Sequence, residues 1–150
     1  MEISKADFDT FTEENYGEYI ALLHQLYPAS KRETLKICSF KKFKDLYFSI
    51  LFRSILLLGK VGENYVASGT LFIHPRVCAL YAPIGYIEDA VVSEKERGKG
   101  YGKQIIQALT KEAKKLGCYK ILLISSDSNL KFYKNNNYIP YENCCCQHLI

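Results

Sequence analysis

Gly85-Tyr86-Ile87-Glu88-Asp89-Ala90-Val91-Val92 is an apolar run that carries two adjacent carboxylates. A polar turn follows it, and then Arg97-Gly98-Lys99-Gly100-Tyr101-Gly102-Lys103. The first segment reads as a strand and the second as the mouth of a helix. Ile105, Ile106, Leu109, Ala113 and Leu116 then recur at helical spacing on one face. Lys111, Lys114 and Lys115 sit toward the end of that helix, where the macrodipole favours cations. Gly117 suits the left-handed residue that closes a helix. Ile121-Leu122-Leu123-Ile124 reads as a buried strand within Lys120 to Ser125. A short helix is expected from Ser128 to about Asn135, capped by Asp127 or Ser128.

Glycines alternate at 98, 100 and 102 between strand and helix. A loop without Cβ atoms approaches a ligand closely and aims several N–H groups at one point. With a helix N-terminus behind it, such a loop is an anion site, and Arg97, Lys99 and Lys103 add formal charge. A diphosphate is the natural guest. The dinucleotide fingerprint Gly-x-Gly-x-x-Gly fails because Lys103 holds its third glycine position. The phosphate loop of nucleotide triphosphatases fails too: Gly102-Lys103 is followed by Gln104, and Arg97 stands where its first glycine belongs. A plain flexible turn opening a helix is the remaining alternative.

Outward from this centre, Tyr16, Tyr19, Ile20, Leu22, Leu23 and Leu26 predict a helix over 14–27, ended by Pro28. Residues 28–38 read as a loop with a basic patch at Lys31 and Arg32. Phe40, Phe43, Leu46, Tyr47 and Ile50 predict a second helix from Ser39, its N-cap, to about Ser54. Ile55 to Leu58 reads as a buried strand, 59–64 as a turn, and Tyr65 to Ile73 as the other arm of a hairpin. Gly69 within that arm marks a bulge or a close backbone approach. Phe8 and Phe11 are expected to anchor a short edge strand. Tyr138 to Tyr141 and Cys144 to Leu149 are expected as two closing strands.

The 150 residues, 48% hydrophobic and 24% charged, suit one globular domain with a sizeable core. A net charge of +4 without a dense basic stripe argues against a nucleic-acid partner and suits a small polyanion. The six cysteines, three of them consecutive at 144–146, have neither a disulfide framework nor zinc spacing. His24, His74 and His148 have no ligand-spaced partners, so no metal is expected. The most apolar run, Leu46 to Leu58, is too short and too polar to span a membrane. With no apolar core in the first residues, a cytoplasmic protein with free thiols is expected.

Arg97-x-x-Gly100-x-Gly102, after an apolar strand and opening a helix, resembles the acetyl-CoA motif of the GNAT N-acetyltransferases. Asn129 and Tyr133 and the order of elements match that superfamily as well. Gly85 to Val92, Gly117-Cys118-Tyr119-Lys120-Ile121 and Asn129-Leu130-Lys131-Phe132-Tyr133 are similar to glucosamine 6-phosphate N-acetyltransferases, in order and spacing, over roughly 65–140. The first sixty residues match poorly. Tyr86 stands where that family usually has His, Asn136-Asn137-Tyr138 replaces Cys-Gly-Phe, and His74-Pro75-Arg76 replaces Glu-Arg-Lys. A C-terminal Arg of the family falls at about His148.

The resemblance implies an α/β (α+β) fold: a mixed, mainly antiparallel sheet flanked by helices. It also implies acetyl transfer from acetyl-CoA to glucosamine 6-phosphate, and a homodimer that exchanges C-terminal strands. In it, the backbone of Ala90, Val91 and Val92 takes the pantetheine arm and polarises the thioester. Arg97, Gly98, Lys99, Gly100, Tyr101, Gly102, Lys103 and Asn129 complete the acetyl-CoA site. Glu88 and the Asp89 region orient the sugar amine and accept its proton. Neighbours on a strand point to opposite faces, so only one carboxylate faces the amine unless a bulge intervenes. Tyr133 is the expected donor to the departing sulfur. Arg76, Tyr119 and Lys120 are candidates for the sugar phosphate or hydroxyls, with His148 reaching in from a partner. Against each role stands a plain one: a solvent-facing carboxylate, ordinary ladder residues, a packing tyrosine, a solvated lysine. Another amine acceptor, such as a polyamine or a protein N-terminus, and a CoA-binding regulatory module without turnover are the competing functions.

Overall fold

The structure, a computed structural model, describes residues 1–7, 9–32, 39–77, 82–142 and 145–147. In chain order the elements are β1 (Glu2–Lys5), α1 (Tyr16–His24), α2 (Ala29–Arg32), α3 (Phe40–Leu51), β2 (Ser54–Val61), β3 (Asn64–His74), β4 (Ile84–Val92), α4 (Tyr101–Lys115), β5 (Lys120–Leu122) and α5 (Leu130–Lys134). The five strands form one sheet in the order β1-β2-β3-β4-β5. The first four run antiparallel to their neighbours, and β5 lies parallel to β4 after the α4 crossover. The mixed, mainly antiparallel sheet flanked by helices is the expected fold.

Each face of the sheet has its own core. On one face α4 lays Ile105, Ile106, Leu109 and Ala113 against Leu57, Ala67, Leu71 and Ile87. Full burial of each large side chain contributes roughly 1.5–3 kcal/mol. Gly69 lets the helix approach this closely: a Cβ there would stand 2.8 Å from Leu109 Cδ1. On the other face α1 and α3 close over an aromatic cluster of Phe11, Tyr19, Phe43, Tyr47 and Tyr65. Phe11 is 1% exposed, stacked on Tyr19 at 4.7 Å and edge-on to Tyr47 at 5.0 Å. It is a core residue, and the edge strand lies earlier, at β1; Phe8 is outside the described residues.

Ser39 caps α3 as expected, its side chain accepting from Lys42 N–H. Gly117 closes α4 with φ +72°, while Gly117 N–H donates to Lys114 O and Cys118 N–H to Ala113 O. Four expectations shift. First, α1 ends at His24, and Pro28 opens the short α2 within the expected loop, because proline is suited to a helix start. Second, the hairpin loop is only Gly62-Glu63, with Gly62 left-handed, so Gly59 to Val61 stay in the ladder. Third, β5 stops at Leu122. Fourth, residues 138–141 form no strand: β5 offers only a three-residue edge, and Ile139 is 79% exposed. Of the other closing segment, residues 145–147 are not in a strand and the remainder lies outside the described residues.

Glu112 joins β1 to α4. It is buried, and its carboxylate takes Lys5 Nζ at 2.5 Å and Lys115 Nζ at 2.6 Å. Lys115 first, then Lys5, hold its carboxyl below the usual value. A depressed carboxyl contributes stability above its unfolded range, near 4.5, and loses it as pH falls through the folded value. Glu112→Gln is therefore expected to lower stability at pH 7 by about 0.5–1 kcal/mol, since both lysine side chains are more than half exposed. It should also flatten the fall in Tm below about pH 4.5. Melts followed by circular dichroism at pH 7 and pH 4 measure both.

Candidate functional site

The β4–β5 ladder pairs only Ile84, Gly85 and Tyr86 with Lys120, Ile121 and Leu122. Past Tyr86 the two strands part, and β4 runs on to Val92 without β5 beside it. Into this gap opens a cavity of about 760 Å3, within the size range of small-molecule sites. One wall is Ala90, Val91 and Val92; another is Arg97, Gly98, Gly100, Tyr101, Gly102 and Lys103; a third holds Asn129, Phe132 and Tyr133. Most of the residues singled out for the acetyl-CoA site thus meet in one place.

The glycines shape the second wall. Gly98 and Gly100 have φ of +82° and +81°, and a Cβ on either would project into open space. Gly100 is the N-cap of α4, so the free N–H groups of the first turn face the cavity rim. Arg97 Nε donates to Val92 O at 3.2 Å, which fixes the loop to the end of β4. Lys99 turns away to Glu96, 2.8 Å off, and does not line the cavity. Arg32 forks onto Glu94, with Nη1 to Oε2 at 3.0 Å, and Gln25 Oε1 accepts from Glu94 N–H at 2.7 Å. The expected basic patch at Arg32 is therefore a tie between the α1–α2 segment and the loop before α4.

Glu88 and Asp89 lie at a bulge in β4. On β3, Ser68 pairs with Val91 and Thr70 with Glu88, so two steps of β3 oppose three of β4. Asp89 takes the left-handed conformation, φ +51°, which Asp tolerates better than most residues. Both carboxylate residues are consequently exposed, where an unbroken strand would point them to opposite faces. Although Asp89 keeps access to solvent, the protein packed around it pushes its carboxyl above the usual range. Neither carboxylate residue lines the cavity itself.

Tyr133 is half-buried at the cavity wall and packs edge-on to Phe132 and Tyr138, at 5.1 and 6.0 Å. Burial, and then Tyr138, push its phenol above the ordinary value of 10.0. Arg76, Tyr119 and Lys120 gather elsewhere, at the Ile84 end of β4. Arg76 Nη1 lies 3.5 Å from Tyr119 Oη. Lys120 Nζ donates to Tyr141 Oη at 3.1 Å and sits over the Tyr141 ring at 4.3 Å. Glu88 is four residues along β4 from Ile84, ~13 Å at strand rise. His148 lies outside the described residues. Residues that motif reading passed over also line the cavity, among them Gln25, Ser68 and Asn136. Only the asparagine triplet carried any local signal.

Among the described residues no helix is long and apolar enough to cross a membrane, and no group of three metal-ligating side chains occurs. Among the described residues, Cys118 and Cys146 are free thiols.

Comparison with known proteins gives a consistent result. The family model for "Acetyltransferase (GNAT) family" matches residues 20–138. The chain is 32% identical to glucosamine 6-phosphate N-acetyltransferase 1 of Dictyostelium discoideum, over 85% of this chain and 78% of that protein. It is 38% identical to the Trypanosoma brucei brucei glucosamine 6-phosphate N-acetyltransferase, over 51% of this chain and 52% of that one. The crystal structure of the Arabidopsis thaliana glucosamine-6-phosphate N-acetyltransferase superposes with a TM-score of 0.85 at 23% identity, covering 99% and 98% of the two chains.

Proposed function

The chain belongs to the acetyltransferase (GNAT) family and is an acetyl-CoA-dependent N-acetyltransferase; on that premise we propose that its acceptor is the amine of glucosamine 6-phosphate. The observation that carries the reading is the opening of the glycine-lined cavity along the unpaired end of β4, directly beyond the Glu88–Asp89 bulge. The names of the relatives support the choice of acceptor.

Acetyl-CoA, as substrate, supplies the activated acetyl thioester. The cavity fits its diphosphate: two left-handed glycines clear the approach, and the N–H groups of the first α4 turn lie behind them. Lys103 adds charge from the same wall. The backbone of Ala90, Val91 and Val92, freed from a β5 partner, donates to the thioester end. Glu88 orients the acceptor, and Asp89 takes the amine's proton, since a raised carboxyl is closer to the pH at which it works. Tyr133, held protonated, donates to the leaving sulfur. Arg76 and Lys120, with Tyr119, form the phosphate end of the acceptor site.

The chain acts as a cytoplasmic homodimer in this account. The free thiols of Cys118 and Cys146 fit a reducing compartment. Ile124, Ile139 and Tyr141, beside or following the short β5, are exposed apolar residues of the kind a partner covers. The acceptor assignment is tested by CoA thiol release with glucosamine 6-phosphate beside unphosphorylated glucosamine, spermidine and a peptide panel. Turnover with the phosphorylated sugar alone is expected. Faster turnover with any other amine would replace the acceptor while keeping the fold and the donor site.

A further inference from the structure

Among the described residues, two buried side-chain polar atoms have no hydrogen-bond partner, Ser68 Oγ and Asn136 Oδ1, and both residues line the glycine cavity. Ser68 is 0% exposed. Its neighbours Ala67 and Leu71 pack under α4, whereas Ser68 pairs with Val91 of the opposite core. The hydroxyl therefore belongs to the face that carries Tyr19 and, through the Thr70 pairing, Glu88. Burial and then the Asp89 charge push the Tyr19 phenol upward, and the Ser68 hydroxyl partly offsets the rise. Ser68 and Tyr19 thus feel each other, yet Ser68 Oγ stands outside hydrogen-bond geometry. Ser68 and Tyr19 share the face of the sheet that lies under the β4 bulge, and Asp89 sits in that bulge. An unpaired buried hydroxyl is destabilising, and native chains satisfy such groups with an ordered water that has two to four polar partners.

We propose that Ser68 is a positioning residue for the transfer: with the Tyr19 hydroxyl it holds an ordered water at the bulge, and this water passes the acceptor amine's proton to Asp89. The inference rests on reading the chain as an amine acetyltransferase. In the step, an N–H bond of the ammonium breaks as an O–H bond forms on the water. One of the water's own O–H bonds breaks toward the Asp89 carboxylate, which leaves a neutral amine, a neutral water and a protonated Asp89. Nothing is oxidised or reduced. Asp89, open to solvent, then releases the proton outward.

Ser68→Ala and Ser68→Thr test the assignment. The Ser68 hydroxyl bonds no other protein group, so its removal is expected to change the Tm of the free protein little. The same change is expected to lower kcat about tenfold, with both KM values within about twofold, while Ser68→Thr recovers most of the rate. A folded Ser68→Ala protein with wild-type kcat overturns the proposal. So does an equal loss in both variants with lowered Tm, which marks packing alone. A high-resolution crystal structure of the free protein provides a readout independent of acceptor: water density within reach of both Ser68 Oγ and Tyr19 Oη is expected, and a dry contact refutes it. If the wild type acetylates no amine, the functional reading fails, and the crystal structure still decides whether Ser68 holds a water.

Discussion

Replacing Tyr133 with phenylalanine is expected to lower kcat about 100-fold and to leave the KM for acetyl-CoA within about threefold. The change removes one oxygen and little else. The ring remains packed against Phe132 and Tyr138, so the fold and the cavity wall persist. Tyr133 is half-buried at the cavity wall, where the proposed donor role uses its phenol proton. Its environment raises the phenol above 10.0, so the donor form fills the whole neutral range, and the falling limb it imposes on kcat lies above pH 10. A 100-fold loss corresponds to about 2.7 kcal/mol of transition-state stabilisation. Steady-state kinetics with a pre-steady-state check that chemistry limits turnover measures it. An unchanged kcat under that condition removes Tyr133 from the reaction.

Gly100→Val has the complementary signature. An L-residue in the left-handed region costs roughly 1–2 kcal/mol, and a β-branched one more. Gly100, at φ +81°, is the N-cap of α4, and an added Cβ meets no protein atom within 4 Å. The side chain therefore extends into the space where the diphosphate is proposed to lie. The KM for acetyl-CoA is expected to rise at least about tenfold, with kcat changed by less than about threefold, because uniform binding is what is lost. Gly17→Ala serves as the control. Gly17 also has open space around it but lies in α1 away from the cavity, and alanine there is expected to stabilise by roughly 0.5–1 kcal/mol. Equal acetyl-CoA affinity in wild type and a folded Gly100→Val protein would place the donor elsewhere.

The two variants bracket what the sequence conveys about this site. The glycine loop and α4 are legible because their signals are local: alternating glycines, a 3.6-residue apolar period, and a glycine closing the helix. Their geometry follows within a residue or two. The bulge at Asp89 is less accessible, since it arises from a mismatch in step between β3 and β4, and register is a property of two strands. Phe11 shows the same limit. Nothing near it in sequence announces a core residue, and its partners Tyr19, Phe43, Tyr47 and Tyr65 come from three other elements. Ser68 reads as an unremarkable polar residue in a strand until the fold buries it without a partner. Tyr138 and Ile139 favour a strand, but Pro140 cannot donate to a ladder, and the neighbouring β5 pairs with β4 over only three residues.

The most direct test of the central claim follows the acetyl group itself. Purified protein is incubated with acetyl-CoA carrying a carbon-13 acetyl group and with glucosamine 6-phosphate, and the products are read by NMR alongside free thiol. The account predicts an amide on the sugar nitrogen in one-to-one ratio with released CoA. Thiol release without that amide, or an ester on a sugar oxygen in its place, would contradict it.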